Sequence, residues 1–113
     1  EWVRQHFINY LISDRGYPRS LIRVEGGLVY NELRKRSDIV IYNRQGQPWM
    51  VVECKSPELA LSAAVLSQAS AYNSTLKAKY IGVTNGIVHL FAEIDWTNRT
   101  TTALPGAPVF PQE

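Results

Sequence analysis

Two short runs, Ser37–Tyr42 (SDIVIY) and Pro48–Lys55 (PWMVVECK), constrain the fold more than anything else in the chain. Both are dense in β-branched and aromatic residues, and Asn43-Arg44-Gln45-Gly46-Gln47 between them has the composition of a turn. The pair predicts an antiparallel hairpin. Near-continuous apolar character in both strands predicts a sheet covered on both faces. A chain of 113 residues has room for one such core, not two.

The flanking segments supply the cover. Val3, Phe7, Tyr10 and Leu11, with a parallel row at Trp2, Ile8 and Ile12, have helical spacing over Glu1–Asp14, and Gly16 and Pro18 end that helix. Leu21–Leu33 reads as one long or broken strand with a bend at Gly26-Gly27. Ser56-Pro57-Glu58 has the order of a helix start, predicting a helix from Pro57 to Ala78. Lys79–Thr84 and Ile87–Ile94 read as strands joined by Asn85-Gly86. The expected fold is α/β: a central mixed sheet of four to five strands flanked by helices, in the order αβββαββ, over residues 1–95, with 96–113 an irregular tail.

An apolar content of 45% and a charged content of 19% argue against disorder and against a coiled coil. No apolar run approaches the roughly 20 residues of a membrane span, so no membrane partner is expected, and Glu1, Arg4, Gln5, His6 and Asn9 interrupt any signal-like core. The single cysteine, Cys54, allows no internal disulfide and fits a cytoplasmic setting. The net charge of +2 is only permissive for nucleic acid, but Arg34, Lys35 and Arg36 cluster, with Arg15, Arg19 and Arg23 before them. Such a cluster can neutralise phosphates; a solvated loop explains it equally well.

The chemistry gathers on the hairpin. Side chains alternate across a strand, so Glu53 and Lys55 share a face and Cys54 points to the other. A turn centred between Gln45 and Gly46 pairs residues whose numbers sum to 91, which sets Asp38 opposite Glu53. Two carboxylates about 5 Å apart repel each other, and a divalent cation offsets that repulsion. Mg²⁺ held by Asp38 and Glu53, with the Cys54 backbone carbonyl as a further oxygen, suits this donor set. It would activate water for phosphodiester cleavage, with Lys55 stabilising the developing charge. The competing reading is an exposed Glu and Lys at a strand end. Leu61, Val65, Gln68 and Tyr72 follow helical spacing, which predicts that Gln68 faces the sheet and reaches the acidic pair, with Tyr72 one turn on.

Asp38 after Arg36-Ser37, then Glu53-Cys54-Lys55, then Gln68 with Tyr72, resembles the PD-(D/E)xK nuclease superfamily. With Glu1-Trp2-Val3-Arg4-Gln5, Gly16-Tyr17 and Thr84-Asn85-Gly86 added, the set looks like the N-terminal nuclease domain of type I restriction enzyme R subunits, over nearly all of Glu1–Ile94. The resemblance implies a restriction-endonuclease-like core and a metal-dependent endonuclease acting on DNA. It further implies Mg²⁺ (or Mn²⁺) on Asp38 and Glu53, catalytic Lys55, and a glutamine-tyrosine motif in Gln68 and Tyr72. An additional acid is common in the family, for which Glu1 and Glu25 are the candidates. The chain departs from it at Ser37, where proline is common. It also lacks the phosphate-binding loop of the helicase motor that full R subunits carry. The alternative function is a binding module of the same fold with weak or no turnover. DNA or RNA as substrate, and a second copy or another subunit as helper, all stay open.

Overall fold

A computed structural model describes residues 2–24, 39–72 and 76–111, the side chains of residues 71 and 72 excepted. The first helix, α1 (Trp2–Ser13), buries Val3, Phe7 and Leu11, one side chain per turn. It stops where expected: Gly16 takes a left-handed φ of 70°, and the Tyr17 N–H turns back onto the Leu11 carbonyl at 2.9 Å. A 3₁₀ turn at Arg19–Leu21 leads into β1 (Ile22–Val24). The rest of the strand expected to Leu33 lies outside the described residues.

The hairpin forms as predicted from β2 (Ile39–Tyr42) and β3 (Pro48–Cys54). Asn43 builds its turn, its side-chain oxygen accepting from the Gln45 and Gln47 N–H groups at 3.0 and 2.9 Å, and Gly46 takes a φ of 83°. Ile39, Val40 and Ile41 pair with Val52, Val51 and Met50, the register expected from a turn centred between Gln45 and Gly46. Next to the turn the ladder shifts by one, because Tyr42 pairs with Pro48 and Trp49 becomes the extra residue of a bulge. That bulge puts Trp49 and Met50 into the same core, where Trp49 meets the rings of Tyr17, Tyr80 and Phe110.

The crossover from β3 carries α2 (Ala63–Tyr72) and returns as β4 (Tyr80–Thr84), parallel to β3; β5 (His89–Asp95) and β6 (Thr100–Leu104) complete the sheet. The six strands lie in sequence order, and every neighbouring pair except β3–β4 is antiparallel. Phe7 and Leu11 of α1 pack with Ile39, Ile41, Met50, Val52 and Phe91 on one face. On the other, Leu66 and Ala69 of α2 pack with Ile81, Val83, Ala92 and Ile94. Both faces are covered. Among the described residues no helix is long and apolar enough to cross a membrane.

Three expectations need correction. The irregular tail expected over 96–113 is not irregular over its described residues, 96–111: Thr100–Leu104 adds a sixth strand on β5, and Ala107 and Phe110 return to the core. The strand forms because Asp95 closes the preceding turn with its carboxylate on the Thr97 and Asn98 N–H groups, and because threonine suits an edge strand. The second helix starts at Ala63, not Pro57. Ser62 caps it, accepting from the Val65 N–H at 3.4 Å, while Ser56-Pro57-Glu58 closes only a turn, with Leu59 N–H on the Ser56 carbonyl at 3.0 Å. The β4–β5 loop is longer than a two-residue turn: Thr84 pairs with His89, and the Asn85 N–H reaches the Val88 carbonyl at 3.2 Å.

Candidate functional site

Glu53 stands near the end of β3, paired with Val83 of β4. Val83 packs under α2, so Glu53 is on the α2 face, and Lys55, two residues on, is on the same side. The two side chains meet: Lys55 Nζ donates to Glu53 Oε2 at 2.8 Å, with 25% and 20% of each side chain exposed. Cys54 points the other way and packs against the α1 core, as alternation requires. The Lys55 N–H continues the parallel ladder onto the Thr84 carbonyl at 2.7 Å, so the backbone beneath the pair is held by the sheet.

A carboxylate has about four lone-pair sites and an ammonium three protons, so one hydrogen bond between them exhausts neither. Glu53 can accept a cation or donor as well, and Lys55 can turn toward an anion. Partial exposure leaves both reachable from solvent.

Two buried polar residues shape this end of the sheet. Thr84 is fully buried; its hydroxyl oxygen accepts from the Gly86 N–H at 3.0 Å and lies 2.7 Å from His89 Nδ1. Asn85 is 6% exposed, and its side-chain oxygen accepts from the Ile87 and Val88 N–H groups at 2.9 and 2.8 Å. Its amide nitrogen donates to the Leu59 carbonyl at 2.8 Å, tying the segment after Lys55 to the β4–β5 loop. Sequence reasoning used Asn85 only as a turn signal and missed this bond. An asparagine directly after an apolar strand was the available clue, since a buried amide needs partners.

Gln68 does not take its expected position. Leu66 and Ala69 are the buried residues of α2, Gln68 is exposed, and among the described residues no hydrogen bond joins it to Glu53 or Lys55. The expectation counted helical turns from Leu61, which precedes the helix, so the phase was wrong. Asp38, Glu1, Glu25, Arg34, Lys35 and Arg36 lie outside the described residues, as does the Tyr72 side chain. Among the described residues no three His, Cys, Asp or Glu side chains gather into a group able to hold a metal ion.

Residues 1–108 match the family described as type I restriction enzyme R protein N terminus. Among solved structures the chain is similar to the type IIG restriction endonuclease BpuSI, at 20% identity and a TM-score of 0.53 over 96% of this chain. It spans 12% of that enzyme's chain, and at such identity the likeness establishes the fold. No curated protein matches.

Proposed function

Since the chain belongs to the family of type I restriction enzyme R protein N-termini, we propose that it is a Mg²⁺-dependent endonuclease domain hydrolysing DNA phosphodiester bonds, with Asp38, Glu53 and Lys55 at its centre. The observation that carries the reading is the Glu53–Lys55 pair, 2.8 Å apart and partly exposed on one face at the end of β3. The register of the hairpin supports the third member. The register expected from the sequence pairs Asp38 with Glu53, and the described part of the hairpin, from Ile39–Val52 to Ile41–Met50, follows that register.

The residues fit a hard divalent cation. Such ions take oxygen ligands, and Mg²⁺ typically takes one or two carboxylates with water and substrate phosphate filling the rest. Asp38 and Glu53 would hold it, with the Cys54 carbonyl as a further oxygen. When bound, the ion supplies Lewis acidity toward the phosphate and lowers the pKa of its water. Lys55 neutralises the charge that develops on the phosphoryl oxygens, and its bond to Glu53 keeps the ammonium in place before substrate arrives. Gln68, exposed on the same side of the sheet, is available to substrate rather than to the acidic pair. Arg34, Lys35 and Arg36 supply positive charge for the DNA backbone.

Nicking of supercoiled plasmid in Mg²⁺ or Mn²⁺ tests this. The wild type nicks, and Lys55→Ala and Asp38→Ala each lose roughly 10²–10³-fold. Equal rates in all three would sink the assignment. Binding of DNA without cleavage by any of them, even with a second subunit supplied, would make the domain a binding module.

A further inference from the structure

A second feature lies on the α2 face, away from Glu53. A cavity of about 480 Å³ opens between α2, the end of β5 and β6, and two of its walls are the cations Lys77 and Arg99. This volume falls in the range of ligand pockets, about 300–1,000 Å³. Lys77 and Arg99 are also the two described non-glycine residues with positive φ, 54° and 59°. A left-handed backbone is strained for most residues with a Cβ; glycine, lacking one, avoids that strain, and asparagine tolerates it through local hydrogen bonds. Both positions instead hold long cationic side chains that meet at one cavity. Strained backbone of this kind concentrates at ligand sites.

The lining is suited to an anion. Neither cation has an ion-pair partner among the described residues. The nearby acids are occupied elsewhere: Glu93 is on the opposite face, 3.9 Å from Lys79, and Asp95 accepts from the Thr97 and Asn98 N–H groups and the Asn98 amide. Ser67 and Thr101 add exposed hydroxyl donors, whereas Ser70 gives its proton to the Leu66 carbonyl at 3.1 Å. Trp96 forms a fixed wall, its indole N–H held by the Ala78 carbonyl at 2.9 Å.

We infer that the cavity between Lys77 and Arg99 binds a backbone phosphate of duplex DNA, as an anchor for the strand presented to Glu53 and Lys55. The inference rests on the nuclease reading for naming DNA as the source of the phosphate. Ile94, in the cavity wall, is four residues along β5 from Leu90, which shares a row with Val83 and Glu53. Four residues along and two strands across place the sites roughly 16 Å apart, about five steps of one strand at ~3.4 Å each. Helix α2 packs over β4 and β5 between them, so a duplex that reaches both lies across that helix.

The test is fluorescence anisotropy with an end-labelled 20-base-pair duplex in EDTA, so that binding is read without cleavage. Lys77→Gly and Arg99→Gly, singly and together, relieve the backbone strain and remove the charges; Lys77→Asn and Arg99→Asn repeat the test with residues that tolerate the same φ. The double variants keep or raise the wild-type Tm, bind the duplex about tenfold more weakly, and reduce the slope of log Kd against log salt by about one. Unchanged affinity and slope would overturn the site, while plasmid nicking by the wild type would leave the nuclease reading standing. Quenching of tryptophan fluorescence by inorganic phosphate, with duplex affinity unaltered in the variants, would assign the cavity to a small free anion and also overturn it. If the wild type fails to nick but the variants lose duplex affinity, the anchor stands and the cleavage centre falls.

Discussion

Lys55 separates stability from chemistry. Its ion pair with Glu53 is partly exposed, and pairs of that kind contribute about 0–1 kcal/mol. Lys55→Ala therefore shifts the urea midpoint little, by less than about 1 kcal/mol of stability, while it removes most cleavage. Equal loss of both would make the lysine structural. His89 behaves differently. Burial against Phe7 and Tyr10, and secondly the charge of His6, lower its pKa from the ordinary 6.5. The unfolded chain then binds the extra proton first as pH falls below that value, so stability is fully present above it and declines below, down to the folded-state pKa. Melting followed from pH 7.5 to 5 shows a Tm that drops by a few degrees more in the wild type than in His89→Gln. Glu53 and Lys55 could be read from the sequence because strand alternation is strict over a few residues. Gln68 was misread because Leu61, which precedes the helix, was counted into the buried stripe that Leu66 and Ala69 in fact define.

At the scale of elements, the sequence revealed what hydrophobic pattern governs and obscured what side-chain hydrogen bonds govern. Both strands of the central hairpin and their register followed from apolar composition and one turn. The start of α2 did not, because Ser56 and Ser62 are both capping residues and only packing of Leu66 and Ala69 on the sheet selects the second. β6 was hidden for a related reason. It is followed by Pro105 and Gly106, and the contacts that return the chain to the core are long-range: Arg15 to the Ala107 carbonyl at 2.8 Å, and the Tyr17 hydroxyl to the Pro108 carbonyl. Phe110 is 5% exposed, its ring centre 5.0 Å from that of Trp49 and 5.5 Å from that of Tyr17. Phe110→Ala costs about 3 kcal/mol, the lower end for such truncations because a segment outside helix and strand can collapse into the gap. Loss under about 1 kcal/mol in urea unfolding would show that this segment does not close the core.

For the whole molecule, the proposed metal site would link cation binding to folding. Two carboxylates held together on a sheet repel, so Asp38 and Glu53, paired as proposed, would weaken the folded state when no cation lies between them. A cation that binds the folded chain and not the unfolded one returns RT ln(1 + [Mg²⁺]/Kd), about 2.7 kcal/mol at a hundredfold excess over Kd. For a domain of this size each kcal/mol moves the Tm by about 4–6 °C. Wild-type protein moved from EDTA into Mg²⁺ at that excess therefore melts roughly 11–16 °C higher, and Asp38→Asn does not respond. The same substitution removes the repulsion, so in EDTA the variant melts at or above the wild type. These two shifts run in opposite directions, which excludes general damage to the fold as their cause. A metal response retained in Asp38→Asn would place the cation elsewhere; a variant less stable than wild type in EDTA would mean that the two carboxylates do not share a site.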